Sequence, residues 1–223
     1  MLIRQLVATF ALAASLMEGA MDKGMPHLDV EGPIFLVNRQ NVIVREYVPG
    51  TVVVDVSGAS RLLREDAARA LEEMFAAAKL EAKLTLLTVS GYRSYSKQSI
   101  LYSNKIKSTG SVKKAQEYVA PPGASEHQLG MAMDIGAKGV SSGLNGSFGK
   151  TKAGKWVREN AHRFGFIVRY QQGWEEITGY EYEPWHVRYV GVTHATAMHE
   201  QHIPMETYVQ SLQVKSILDI LEP

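Results

Sequence analysis

The order of hydrophobic patterns along the 223 residues most constrains the fold of this chain. Apolar side chains recur at helical spacing over residues 64–79, which predicts an amphipathic helix. A short, apolar and partly β-branched run at residues 84–90 is typical of a buried strand. Helix-type and strand-type segments are mixed along the chain, but they do not alternate regularly as in a parallel sheet. The order therefore predicts an α+β fold, with a small, mainly antiparallel sheet flanked by helices.

The same patterns predict the remaining elements and the division of the chain. Further helices are expected at 96–107, at 156–164 and from residue 193 onward with a break at Pro204, and further strands at 52–56, 131–135, 166–170 and 185–190. The stretches 110–123 and 136–154 are expected to be mostly loop, the second because it is rich in glycine. Neither a repeat nor a linker divides residues 51–223, which we interpret as one domain preceded by an extended arm at 21–50.

The N-terminus has the pattern of a signal peptide. Arg4 precedes an apolar run at 6–17, which is too short to span a bilayer and suits a signal-peptide core. Residues 1–20 are therefore predicted to be a signal peptide, and the protein is predicted to be exported without a stable membrane span after cleavage. A short N-terminal core helix is the alternative.

Charge and composition exclude several classes of function. The formal net charge of +1 provides no basic field for nucleic acid. The stretch "GLNGSFGKT" at 143–151 does not have the glycine spacing of a phosphate-binding loop, so nucleotide binding is not expected. The chain has no cysteine, which excludes disulfides and cysteine nucleophiles. Any metal must therefore be held by nitrogen and oxygen ligands.

Two short stretches contain residues suited to a metal site. "SEHQLGMAMDIG" at 125–136 contains His127 and Asp134, and "EPWH" contains Glu183 and His186. A catalytic zinc ion takes three protein ligands and keeps one open position. A glutamate beside a ligand, but not itself a ligand, could remove a proton from water. On residue types alone, ordinary structural histidines remain the alternative.

The spacing of these residues resembles that of a known family. S-x-H-x-x-G-x-A-x-D matches residues 125–134, and E-x-W-H matches residues 183–186. "SGYRSYSKQ" at 90–98 and "ENAHRFGFIVRY" at 159–170 follow the same family in the expected order. Together these motifs resemble the zinc D-alanyl-D-alanine carboxypeptidases, including the vancomycin-resistance D,D-carboxypeptidases, which share a fold with the Hedgehog signalling domain. The resemblance implies a Hedgehog/D,D-peptidase-like fold and one Zn²⁺ per chain, held by His127, Asp134 and His186.

The resemblance also implies roles for four further residues. Glu183 would be the catalytic base, and Arg93 would face the substrate carbonyl. Ser125 would help to hold the terminal carboxylate of the substrate, and Gln98 would be a further substrate contact. A structural arginine, a turn-capping serine and a helix-surface glutamine are the respective alternatives for the last three.

The activity implied by the resemblance is removal of the terminal D-alanine from peptidoglycan stem peptides in the cell envelope. The family also contains L,D-carboxypeptidases and D-Ala-D-Ala dipeptidases, which remain alternatives. A non-catalytic, zinc-stabilised module that binds wall peptide is the alternative from another class. Because such a module could lose its base freely, the presence of Glu183 favours an enzyme.

Overall fold

The computed structural model describes residues 29–140 and 144–221. The predicted signal peptide and residues 21–28 of the predicted arm lie outside the described residues. Within the described part of the chain, no helix is both long enough and apolar enough to span a membrane.

Helices and strands are mixed along the chain, as the hydrophobic patterns predict. The helices are α1 (Glu65–Ala82), α2 (Tyr95–Thr109), α3 (Val112–Gln116), α4 (Lys152–Asn160), α5 (Glu175–Thr178), α6 (Val192–Gln201) and α7 (Met205–Leu221). The strands are β1 (Val52–Val53), β2 (Leu62–Leu63), β3 (Leu86–Ser90), β4 (Ala132–Ala137), β5 (Phe166–Tyr170) and β6 (Glu183–Tyr189). Short 3₁₀ turns lie at Glu126–Leu129, Gly146–Lys150 and Ala161–Phe164.

Four strands form an antiparallel sheet in the order β3-β4-β6-β5, and β1 and β2 form a small separate pair. The prediction of an α+β fold with a small antiparallel sheet is confirmed. Two stretches predicted to be mostly loop contain helical turns that the hydrophobic patterns did not predict. Ser111 begins α3 by accepting a hydrogen bond from the Lys114 amide at 3.3 Å, and Thr151 begins α4 by accepting one from the Gly154 amide at 3.0 Å.

The two faces of the sheet have different characters because side chains alternate along each strand. Met133 on β4, Val168 on β5 and Val187 on β6 point into the main core. Helix α1 covers this face with a buried stripe of Ala67, Leu71, Met74, Phe75 and Ala78. Burial of each large side chain stabilises the fold by about 1.5–3 kcal/mol. The intervening strand residues face the other side, where the polar site lies.

The described part of the predicted arm, residues 29–50, contains turns but no strand or helix. Val37 and Ile43 are buried in a small cluster with Leu129 and Met131, which flank the site. The Arg39 guanidinium donates to the carbonyl oxygens of Gln116 and Gly179. The arm is therefore packed on the rest of the fold, while the proposed division at residues 50 and 51 stays a prediction.

Candidate active site

His127 lies on a 3₁₀ turn that leads into strand β4. The turn ends at Gly130, whose φ of 71° is the left-handed conformation that glycine adopts without strain. The space is also tight, because a Cβ on Gly130 would approach Arg64 and Pro49 to 3.3 Å. Gly130 therefore precedes the strand, which begins at Ala132. The reversal at Gly130 brings His127 back beside Asp134.

Asp134 and His186 meet because β4 and β6 are neighbours in the sheet. The register places these two residues directly opposite each other on adjacent antiparallel strands. Residues in such a pair point to the same face and have close side chains. Two residues 52 positions apart in sequence thus reach one point, with His186 Nδ1 3.1 Å from Asp134 Oδ1.

His127, Asp134 and His186 form one buried cluster that could hold a metal ion. One potential ligand atom from each of the three lies within 4.8 Å of the other two. His127 Nε2 is 3.4 Å from Asp134 Oδ2, and each of the three residues is 4% exposed. Two imidazoles and one carboxylate are a donor set that suits zinc.

The outer contacts of both histidines orient a lone pair toward this cluster. His127 Nδ1 lies 2.9 Å from the Gly91 carbonyl oxygen, which can only accept a hydrogen bond. His186 Nε2 lies 3.1 Å from the Glu126 carboxylate, which also accepts. In the neutral form, each ring therefore carries its hydrogen on the outer nitrogen and keeps the inner one free for a metal. Because both inner ring nitrogens are free to bind a metal, the two histidines and Asp134 fit a metal ion.

Glu126 is a buried residue of the site that the sequence did not identify. Its side chain is fully buried and also accepts hydrogen bonds from Arg169 Nε at 2.8 Å and Arg188 NH1 at 3.1 Å. Burial opposes its ionisation, but the two arginines outweigh burial and hold the pKa of Glu126 well below its usual value. Arg169 is held in turn by a bidentate pair with Glu206 on α7 at 2.7 and 2.9 Å. In the sequence, the only indication that Glu126 belongs to the site is its position directly before His127.

Glu183 and His186 lie on one strand, although three-residue spacing would normally place them on opposite faces. Strand β6 begins at Glu183, two residues before the predicted start at residue 185. Val168 pairs with Val187 and Tyr170 pairs with Glu183, which leaves extra residues on β6 between the two pairs. This irregularity lets both side chains line the same cleft.

The Glu183 carboxyl is not one of the three clustered groups, and its proton affinity is unusual. Burial raises the pKa of Glu183 to about 8, although the positive charges of His186, Arg93 and Lys105 oppose the shift. A carboxyl group with a pKa near neutrality can both accept and return a proton during one reaction cycle.

Arg93 and Gln98 are held together at the edge of the cluster. The Arg93 guanidinium donates to Gln98 Oε1 at 2.9 Å and to Ser90 Oγ at 3.0 Å, and it lies 3.5 Å from Asp134 Oδ2. Burial lowers the pKa of Arg93, while Asp134 and Glu183 oppose the shift. Gln98 is itself buried and donates to the Ala120 carbonyl oxygen at 2.7 Å. The structure thus assigns Gln98 a contact with Arg93, and its predicted contact with substrate stays a prediction.

Ser125 also lines the cleft, next to Glu126 and His127. It occupies the position before the 3₁₀ turn, but its side chain makes no capping hydrogen bond there. The turn-capping alternative therefore has no support in the geometry, and the predicted contact with substrate remains open to test.

All seven predicted site residues line a single cleft of about 860 Å³. This volume lies within the range of about 300–1,000 Å³ that is typical of small-molecule sites. The cleft combines a possible metal site, a carboxyl group with a raised pKa and a fixed guanidinium. Such an arrangement can hydrolyse a carbonyl compound, because it can supply an electrophile, a base and stabilisation of an oxyanion.

Comparison with known proteins identifies the family. The VanY D-alanyl-D-alanine carboxypeptidase family matches residues 60–192, which include all seven predicted site residues. The chain belongs to the D-alanyl-D-alanine carboxypeptidase family. A relative, YodJ of Bacillus subtilis (strain 168), is 43% identical over 190 residues, covering 82% of this chain and 69% of YodJ.

Solved structures of the D-alanyl-D-alanine carboxypeptidase fold agree with this identification. The LdcB LD-carboxypeptidase is 44% identical, with a TM-score of 0.74 over 78% of this chain and 84% of LdcB. The VanY D,D-pentapeptidase from a VanB-type resistance cassette, solved in complex with Zn(II), is 36% identical, with a TM-score of 0.69 over 79% of this chain and 98% of that one. The predicted family and fold are thus both confirmed.

Proposed function

We propose that this chain is a zinc-dependent D,D-carboxypeptidase that removes the terminal D-alanine from peptidoglycan stem peptides. The observation that carries the proposal is the convergence of His127, Asp134 and His186 beside Glu183, in a chain of the D-alanyl-D-alanine carboxypeptidase family. One zinc ion per chain would be held by the two histidines and the aspartate. When bound, zinc polarises a carbonyl group and makes water more acidic.

The remaining chemistry belongs to the side chains of the cleft. Glu183 takes a proton from the attacking water and delivers it to the departing amine of D-alanine. Arg93, fixed by Gln98 and Ser90, stabilises the negative charge that develops on the carbonyl oxygen. The Ser125 hydroxyl is free of a capping bond and helps to hold the terminal carboxylate of the peptide.

A second candidate activity, L,D-carboxypeptidase, is favoured by the similarity to LdcB. The two activities remove D-alanine from stem peptides of different length. Incubation of the purified protein with defined muropeptides ending in penta-, tetra- and dipeptide, followed by mass spectrometry, distinguishes them. We expect D-alanine from the pentapeptide; release from the tetrapeptide alone would establish the second activity instead.

The same assay should respond to a chelator and not to a β-lactam. The family mechanism uses activated water, so a chelator should abolish release. The S-x-x-K spacing of penicillin-binding proteins occurs three times, at Ser94 and Lys97, at Ser111 and Lys114, and at Ser147 and Lys150. Ser94 and Ser111 each cap the start of a helix, and the Ser147 hydroxyl donates a hydrogen bond to Asn145. Stoichiometric covalent labelling by a fluorescent penicillin would contradict this mechanism.

Glu126 should control the affinity of the site for zinc. Groups that orient a ligating histidine typically contribute 10–100-fold in metal affinity, and Glu126 contacts His186 directly. We therefore expect Glu126→Gln to weaken zinc binding by about 10–100-fold in a competitive titration with a chromophoric chelator.

Glu206→Gln is the matched control for this substitution. Glu206 pairs with Arg169 in the same network but makes no contact with His186. Both variants should lower the free energy of unfolding, since loss of one partner of a buried pair costs about 3 kcal/mol or more. Zinc affinity should fall only in Glu126→Gln. An equal fall in zinc affinity in both variants would mean that Glu126 acts through general destabilisation of the fold.

We further propose that the protein acts outside the cytoplasm, delivered by the predicted signal peptide at residues 1–20. The apolar run after Arg4 and the wall-peptide substrate support this location. Mass spectrometry of the mature N-terminus after expression in a bacterial host tests it, and an intact Met1 on cytoplasmic protein would contradict it.

A further inference from the structure

The cleft extends beyond the candidate metal site along one face of helix α2. Lys97, Leu101, Asn104, Lys105 and Ser108 line it, at the spacing of three and four residues that places side chains on one helical face. A peptide with its terminal carboxylate near Ser125 would therefore continue past this face. The residues of the substrate upstream of the scissile bond would meet it first.

The charges along the cleft are unevenly distributed. Its carboxylates are Glu126, Asp134 and Glu183, which lie at the candidate metal site. Among the residues that the structure describes, the charged groups that line the cleft beyond that end are Lys97 and Lys105. Neither ammonium group forms an ion pair with a carboxylate of the cleft, although the charge of Lys105 acts on Glu183. Lys105 instead lies 4.5 Å from the centre of the Tyr118 ring, while Lys97 is exposed.

The spacing of the two lysines matches a short stretch of peptide. They lie eight positions apart on the helix, which corresponds to about 12 Å along the helix axis. An extended peptide covers that distance in about three to four residues, at roughly 3.3 Å per residue. A stem peptide of five residues is therefore long enough to pass both lysines.

We propose that Lys97 and Lys105 make the cleft selective for stem peptides that carry free carboxylates upstream of the scissile bond, over peptides in which those carboxylates are amidated. This inference rests on the proposed function for the direction in which the peptide lies. Charge complementarity gives specificity mainly by favouring the matched partner and rejecting the mismatched one. The peptide side chains, rather than its terminal D-alanine, would then distinguish one cell-wall chemistry from another.

Two pentapeptides that differ only in charge provide the test. Both end in D-Ala-D-Ala; one carries γ-linked D-glutamate and L-2-aminoadipate as its second and third residues, and the other carries the corresponding amides. The dissociation constant of each peptide is measured by calorimetry with the zinc-loaded Glu183→Gln variant, because this variant should bind the peptide without hydrolysing it. Release of D-alanine by the parental protein is measured in parallel.

We expect the acidic peptide to bind about five- to tenfold more tightly than the amidated one, as two partly exposed ion pairs would give. The preference should disappear when Lys97→Gln and Lys105→Gln are added, and it should shrink in high salt. Lys107→Gln is the control, because Lys107 is exposed on the same helix and does not line the cleft. It should leave the preference unchanged.

Two outcomes separate this inference from the proposed function. Equal binding of both peptides, or a preference that survives loss of both lysines, overturns the inference even if D-alanine is released. A preference that depends on the lysines, in a parental protein that releases no D-alanine from either peptide, supports the inference and overturns the proposed enzymatic function.

Discussion

Replacement of Glu183 by glutamine should lower turnover by at least about 100-fold while the protein stays folded and loaded with zinc. General acid–base assistance typically contributes 10²–10⁴-fold, which is roughly 3–5.5 kcal/mol of activation free energy. Glutamine keeps the shape of the side chain and removes its basicity. Glu183 stands outside the three-residue cluster, so the metal should remain.

Turnover is measured by release of D-alanine from a pentapeptide, and zinc content is measured on the same sample. Glu176→Gln is the control, because Glu176 is exposed on α5 and does not line the cleft. Parental turnover in Glu183→Gln would place the base elsewhere. An unmutated protein that binds wall peptide, holds zinc and releases no amino acid would instead be a binding module.

Loss of either histidine of the cluster should remove the metal and the activity together. The site offers three possible protein ligands. A catalytic zinc site needs all three and keeps one position open, so a site with only two ligands should not hold zinc. We expect His127→Ala and His186→Ala to fall from about one zinc per chain to nearly none, with D-alanine release below detection.

Metal analysis after gel filtration tests this expectation for both variants. His202→Ala is the control, because His202 is exposed at the end of α6 and lies outside the cluster. Full zinc retention in His127→Ala and His186→Ala would overturn the ligand assignment. The contrast with Glu183→Gln, which should keep zinc and lose turnover, separates metal binding from proton transfer.

Much of the fold could be predicted from local patterns, because the spacing of apolar residues reflects which face of a single helix or strand is buried. The predicted strand at 166–170 agrees with β5. Helix α1 extends the predicted helix 64–79 by only a few residues at its C-terminus. Helix α3 and the first turn of α4 were missed because their starts depend on capping hydroxyls in stretches of low hydrophobicity.

The sequence by itself determined which residue types could form the site. The spacing of histidine, aspartate and glutamate in two short motifs identified the family and the candidates, because metal and proton chemistry require particular side chains. The same spacing could not reveal how the two motifs approach each other, since strand register depends on packing across the whole sheet.

Only the tertiary structure decided the geometry that makes those residues a site. The register of β4 and β6 sets Asp134 opposite His186, and the irregular pairing of β5 with β6 brings Glu183 into the same cleft. Glu126 orients His186 only because two buried arginines keep its carboxylate ionised. These contacts join residues far apart in the chain, and a buried charge is stable only when the whole fold supplies its partners.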